Sequence, residues 1–247
     1  MTDLHTHTVF SDGKNTPEQM VLSAIGKGVT TYGISDHSYT PFDQSYCMRP
    51  ENYAVYKAEI EELKEKYKNE TNLRCGIELD YYSHKPDIKF DYTIGSVHYV
   101  KAENVYIPVD FTKETLENAV NEYFGGDFFS LIEKYYENVA DVVNKTKCDI
   151  IGHFDLITKF NEGKALFDES DKRYKDAYKT AADALLKTGV PFEINFGAIS
   201  RGYRKTPYPS KEIFLYLKKN GAEFILSSDG HSAENICYGF DTFKGEL

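Results

Sequence analysis

Leu73-Arg74-Cys75-Gly76-Ile77-Glu78-Leu79-Asp80 is the stretch that decides the fold. A mainly apolar run of strand length ends there in two carboxylates two residues apart, so both point to one side of an extended chain. The same scheme recurs outward in both directions. Toward the N-terminus, Tyr32-Gly33-Ile34-Ser35 ends in Asp36-His37. Before it, Asp3-Leu4-His5-Thr6-His7 carries two imidazoles that share a side and can reach one cation. Toward the C-terminus, Tyr92-Thr93-Ile94-Gly95-Ser96-Val97 ends in His98, and Asp149-Ile150-Ile151-Gly152 ends in His153. Val190-Pro191-Phe192-Glu193-Ile194 ends in Asn195, and Glu223-Phe224-Ile225-Leu226-Ser227-Ser228 ends in Asp229-Gly230-His231. Together these are seven candidate strands, each with its polar tip at the C-terminal end.

Amphipathic segments with helix signals separate the strands, so the chain reads as β then α repeated, an α/β protein with a parallel sheet under covering helices. Thr16 is placed to cap a helix with Pro17 at its first position, burying Met20, Val21, Ala24 and Ile25. A charged helix is expected from Pro50 to about Asn69. Two helices broken at Gly125-Gly126 are expected between Thr112 and Asn144, and another from Tyr174 to Lys187 with Ala177, Tyr178, Ala181 and Leu185 on one face. Ser210 is expected to cap Lys211 to Lys219, which stops at Asn220-Gly221. The length of 247 residues matches the roughly 250 of a β/α barrel. It is enough for one sizeable core, and a single domain over 1–247 without a linker is expected.

A formal charge of −10 without a basic run disfavours nucleic acid as the main partner. A small phosphorylated substrate is still compatible, because dications bound by carboxylates reverse the local field. No apolar run approaches the ~20 residues of a membrane span. The chain begins directly with its first strand and leaves no room for a signal peptide, so no membrane partner and a cytoplasmic location are expected. Cys47, Cys75, Cys148 and Cys237 form no CxxC pair and read as buried free thiols.

Any one strand-end histidine is more often structural than a ligand, and a lone HxH recurs by chance. Their joint occurrence on the C-terminal face of a single barrel is what argues for a site. His84 lacks such a setting and is assigned to the surface. Asp36 is expected to hydrogen-bond a ligating imidazole, and Asp155 to lie outside the ligand set. Asp80 points the same way as Glu78 but one step further along the rim. Asn195 either touches metal-bound water or closes a turn.

The motifs DLHTHT, SDH, GIELD, SVHY, GHFDL, EIN and SSDGH resemble, across the whole chain, those of the PHP (polymerase and histidinol phosphatase) superfamily. Ser11-Asp12-Gly13 and Gly95-Ser96-Val97-His98-Tyr99 resemble its monofunctional histidinol-phosphate phosphatase branch. The resemblance implies a distorted (β/α)7 TIM-like barrel holding two or three divalent ions. By that resemblance His5, His7, Glu78 and Asp229 hold the first metal, while Glu78 bridges to a second completed by His98 and His153. Asp12, His37 and His231 hold a third. Imidazoles and carboxylates without thiolate suit Zn, Mn or Fe and do not rank them.

The implied reaction is hydrolysis of L-histidinol phosphate to L-histidinol and phosphate by a metal-bridging hydroxide. Asp229 or His231 is the candidate to protonate the departing alkoxide. Arg201 and Arg204, after the sixth strand, and Lys159, after the His153 motif, are candidates to bind phosphoryl oxygens. The loop Tyr39 to Tyr46 offers carboxylate and aromatic groups for the leaving group, or serves as a lid. Three alternatives stay open: a PHP phosphoesterase acting on another small phosphate, a phosphotyrosine or an oligonucleotide; an amidohydrolase; and a non-catalytic metal-binding module. The amidohydrolase group commonly bridges its metals with a carbamylated lysine, where this chain has Glu78. The oligomeric state is left open.

Overall fold

The computed structural model describes residues 1–243. Nine strands are present: β1 (Thr2–Asp3), β2 (Thr31–Ile34), β3 (Asn72–Asp80), β4 (Tyr92–Ser96), β5 (Tyr99–Ala102), β6 (Val105–Pro108), β7 (Ile150–Ile151), β8 (Phe192–Asn195) and β9 (Phe224–Ser227). Seven of them pair in parallel in the order β1-β2-β3-β4-β7-β8-β9. Beyond β1, the His7 amide donates to the Gly230 carbonyl and the Gly230 amide to the His5 carbonyl. A parallel bridge between Thr6 and Gly230 thus nearly closes the sheet into a barrel. The architecture is a distorted (β/α)7 barrel with the seven expected strands.

Among the described residues eight helices flank it: α1 (Pro17–Gly26), α2 (Tyr53–Lys66), α3 (Lys113–Tyr123), α4 (Phe128–Thr146), α5 (Lys172–Leu186), α6 (Gly197–Ser200), α7 (Lys211–Lys219) and α8 (Phe240–Phe243). Local chemistry sets their ends. Thr16 accepts from the Gln19 amide while the Gln19 side chain accepts from the Thr16 amide, a reciprocal cap ahead of Pro17. Met20, Val21 and Ala24 are fully buried, and Ile25 packs partly buried at the edge of the same cluster. α2 stops short of Asn69, with Tyr67 accepting the Glu70 and Thr71 amides in a closing turn. Ser210 precedes α7 without a side-chain cap; its amide donates instead to Asp155 Oδ2 at 2.9 Å.

Two departures distort the barrel. β3 and β4 are joined through residues 81–91 without a helix, although parallel neighbours usually need one. Between β4 and α3, the β5–β6 hairpin, absent from the sequence reading, turns at Glu103-Asn104 with Glu103 in the left-handed region. The hairpin packs over the loop after β2, where the Phe42 and Tyr106 rings stack at 3.7 Å between centroids.

Inside the barrel, Tyr92, Ile94 and Ile150 pack with Leu4 and Ile225 beneath the site. Gly76 is required there, because a Cβ at that position would sit 2.2 Å from the Tyr92 ring. Cys47, Cys75 and Cys148 are buried free thiols and Cys237 is half-buried. His84 is exposed. Among the described residues, no helix is long and apolar enough to cross a membrane.

Candidate metal centre

Five strand ends deliver six imidazoles to one point, and Glu78 on β3 lies at its middle. Its Oε1 is 3.0 Å from His153 Nε2 and 3.4 Å from His98 Nε2, and accepts from Ser96 Oγ at 2.5 Å. Its Oε2 is 2.8 Å from His37 Nδ1, 3.3 Å from His5 Nε2 and 3.6 Å from His7 Nε2. Asp229, just past β9, adds an oxygen 3.3 Å from His7 Nε2 and 3.8 Å from His5 Nε2. At the outer edge His231 Nε2 and His37 Nε2 lie 3.2 and 3.7 Å from the two Asp12 oxygens.

Three groups of donors lie close enough to share a cation: His5, His7 and Asp229; His37, Glu78 and His98; and His7, Asp12, His37 and His231. His37, at Glu78 Oε2, stands where the expected second group had His153, which lies 3.0 Å from the other oxygen, Oε1.

The donors fit metal ions on a further observation. Buried polar atoms are normally hydrogen-bonded, yet His5 Nε2, both ring nitrogens of His7 and Glu78 Oε2 have no aligned partner here. Three imidazole nitrogens crowd one carboxylate oxygen without donating to it, which is an arrangement a shared cation satisfies. Hard carboxylate and borderline imidazole donors without thiolate suit divalent first-row ions.

The charges respond to this crowding. Burial disfavours ionised Glu78, but His37, His5 and His98 hold its carboxyl well below the usual range. Burial likewise opposes ionisation of Asp229, and Arg201 and His5 override it. Burial, together with the neighbouring His231 and His37 rings, pushes His7 down to about 3. His98 goes the other way: burial opposes its charge, but Glu78 and Asp80 lift it to about 9.

The surrounding residues fix the ligands. Asp80 accepts from the His98 amide at 2.9 Å and holds the loop after β4. Asp36 touches no imidazole through a hydrogen bond. It accepts from the Thr8 amide and hydroxyl and from Ser11 Oγ, and so ties down the loop that carries Asp12. Asn195 closes a turn: its Oδ1 accepts from the Gly197 amide and its Nδ2 donates to Glu193. Gly197 is required beside it, since a Cβ there would meet Asp229 Oδ2 at 2.4 Å. Glu193, unremarked in the sequence reading, lies fully buried behind His5 with Oε1 2.6 Å from His5 Nδ1.

The expected phosphate-binding residues part company. A cavity of about 380 Å³ opens over the centre, and Arg201, Lys159, Asp43, Tyr46, Tyr99 and Asp110 are among the residues that line it. Arg201 is held by the Asp229 carboxylate at 3.1 Å and its carbonyl at 3.0 Å. Lys159 Nζ donates to the Asp110 carbonyl at 2.7 Å and lies over the Tyr203 ring. Arg204 is not brought to this cavity. Its guanidinium is buried beneath the rim against Tyr208, bonded to Thr158 and 3.8 Å from Asp155. The turn at Gly202, which has positive φ, sends it away from Arg201.

A near-closed parallel barrel with a divalent-metal centre at its C-terminal rim is the class that this fold and donor set define. The sequence model of the PHP domain family matches residues 3–196, and the chain belongs to that family. A probable histidinol-phosphatase of Schizosaccharomyces pombe is 27% identical over 93% of this chain and 79% of its own length. The histidinol-phosphatase of Bacillus subtilis is 23% identical over 98% of this chain and 97% of its own. Among solved structures, the histidinol phosphate phosphatase of Lactococcus lactis, complexed with Zn, L-histidinol and phosphate, aligns with a TM-score of 0.65. It is 20% identical over 94% of this chain and 86% of that one.

Proposed function

We propose that this chain is a metal-dependent phosphomonoesterase that hydrolyses L-histidinol phosphate to L-histidinol and phosphate. The observation that carries the reading is a cavity whose floor is the Glu78-centred imidazole cluster and whose wall holds Arg201 and Lys159. The names of relatives aligned over nearly the whole chain support the substrate, as does the Lactococcus protein with L-histidinol and phosphate. Two or three ions of Zn, Mn or Fe suit the donors. The PHP match, and Glu78 where an amidohydrolase would use lysine, argue against the amidohydrolase alternative. Every expected ligand faces the centre, which argues against a binding module that has lost its chemistry. We take 1–247 as one domain, working in the cytoplasm. Phosphate release from L-histidinol phosphate tests the proposal.

When bound, the divalent ions polarise phosphoryl oxygens and lower the pKa of attacking water. The chain's own residues do the rest. His5, His7, Glu78 and Asp229 would hold one ion, Glu78 and His98 with His153 or His37 a second, and Asp12, His37 and His231 a third. Arg201 faces the phosphoryl group as a planar donor preset by Asp229. Its Nη1 lies 2.9 Å from His231 Nδ1, and a guanidinium only donates, so His231 Nδ1 then accepts and Nε2 carries the proton. In that tautomer, with no ion on Nε2, His231 would hydrogen-bond the leaving oxygen through its Nε2–H. As a ligand through Nε2 it takes the other tautomer, with Nδ1 donating to the Asp229 carbonyl at 3.0 Å. Asp43 and Asp110, with the Tyr46 and Tyr99 rings, face the cationic amino alcohol.

Arg201→Ala is expected to lower kcat/KM about 10²-fold, mostly through KM, by loss of a charge-assisted contact to phosphate. Arg204→Ala is expected to change KM less than about threefold and to lower Tm, because Arg204 faces Asp155 and not the cavity. Steady-state kinetics and thermal melts separate the two.

Metal loading is also linked to protons. In chelator-stripped protein at pH 7, His98, with its pKa raised to about 9, carries a proton that must leave before a metal can bind. Affinity is therefore expected to rise with pH from 7 to 9, with protons released on binding. Calorimetric titration in buffers of different ionisation enthalpy reads that release; equal heats in all buffers would contradict the linkage.

A further inference from the structure

We infer that Glu193 is a positioning residue that presets His5 for metal and makes the inner donor group the tightest binding step. The inference rests on the proposed metal centre. Glu193 is 1% exposed and makes three contacts from one carboxylate. Oε1 takes His5 Nδ1 at 2.6 Å, and Oε2 accepts the His153 amide at 3.1 Å and Asn195 Nδ2 at 3.2 Å. It thereby fastens the segment after β1 and the segment after β7 to β8.

The chemistry follows from which atoms can donate. An ionised carboxylate only accepts, so the proton of the His5–Glu193 bond sits on Nδ1. With a cation in place His5 Nε2 would then offer its lone pair, and this atom is buried, unpartnered and directed at Glu78 and Asp229. A carboxylate behind a ligating imidazole fixes ring orientation and raises donor strength. The rim group differs. Asp12 has a side chain 34% exposed to solvent, and the carboxylates nearest the far nitrogens of His37 and His231, Glu78 at 2.8 Å and Asp229 at 3.5 Å, belong to the donor cluster itself and do not stand behind it as Glu193 stands behind His5. The inner group of His5, His7 and Asp229 therefore fills first and releases last, while the rim group exchanges with free metal.

The test uses stripped full-length protein titrated with Co(II), read by visible absorption against a competing chelator. Wild type is expected to bind in resolved steps. Glu193→Gln is expected to weaken the tightest step about 10- to 100-fold, to leave the weaker steps within about threefold, and to keep the metal-free circular dichroism spectrum. Uniform weakening of all steps, or an unchanged tightest step in a folded variant, overturns the role of Glu193. Wild type that binds no Co(II) overturns the metal reading itself. Should the variant not fold, ¹⁵N-histidine NMR of zinc-loaded wild type decides: a protonated Nδ1 and a zinc-bound Nε2 on His5 support the inference, and a protonated Nε2 overturns it.

Discussion

Glu78→Gln is expected to leave the barrel folded and to lower kcat at least about 10³-fold, a loss on the scale of removing a principal electrostatic group from an active site. Glu78 is within 3.6 Å of nitrogens from five imidazoles, and both of its oxygens are used. The amide keeps one acceptor oxygen but loses the charge and replaces the second acceptor with a donor, so it cannot span two cations. The variant's Co(II) titration should lose at least one step while its circular dichroism stays unchanged. A purified, metal-replete Glu78→Gln with near-normal kcat would remove the bridging role.

The second large effect is thermal. Stripping the protein of metal is expected to abolish turnover and lower Tm, and reloading to restore both. A ligand at 1,000 times its Kd adds about 4 kcal/mol to stability, or roughly 8 to 16 °C for a chain of this size. The source is local: a metal satisfies the unpartnered His5, His7 and Glu78 atoms and neutralises carboxylates gathered at the barrel mouth. A Tm indifferent to metal, in protein whose activity needs it, would show that these donors do not clasp the ions. The loss should reverse with Zn, Mn or Fe and resist Mg, which prefers oxygen donors.

How far the sequence carried the reading follows from what each signal encodes. The gathering of candidate ligands at strand ends was legible because a charged or imidazole side chain just past an apolar run has few structural reasons to be there. Repetition across seven strands then fixed both the barrel and the rim. The Thr16-Pro17 helix start was legible because capping is local chemistry, as was the break at Gly125-Gly126. Glu193 was not, although it shares parity with Asn195, whose place at the strand end drew the attention. A lone carboxylate inside Val-Pro-Phe-Glu-Ile was the available signal, since burying it demands a partner. Arg204 misled for a related reason: two arginines three residues apart suggest one surface, but the turn at Gly202 divides them. The partners of Asp36 and the helix-free passage from β3 to β4 depend on contacts distant in sequence, which no local pattern encodes. The β5–β6 hairpin did have a local pattern, with β-prone residues Tyr99-Val100 and Val105-Tyr106-Ile107 on either side of Glu103-Asn104.

The most direct measurement is phosphate release from L-histidinol phosphate against a panel of other phosphomonoesters, including an aryl phosphate and a 5′-phosphorylated oligonucleotide. The protein would be stripped by chelator and reloaded separately with Zn, Mn and Fe. The expected result is a kcat/KM for L-histidinol phosphate at least about 10²-fold above every other ester, lost without metal. Metal-dependent turnover without that preference would contradict the substrate and leave the phosphoesterase chemistry, and no turnover with any metal would contradict the enzyme itself.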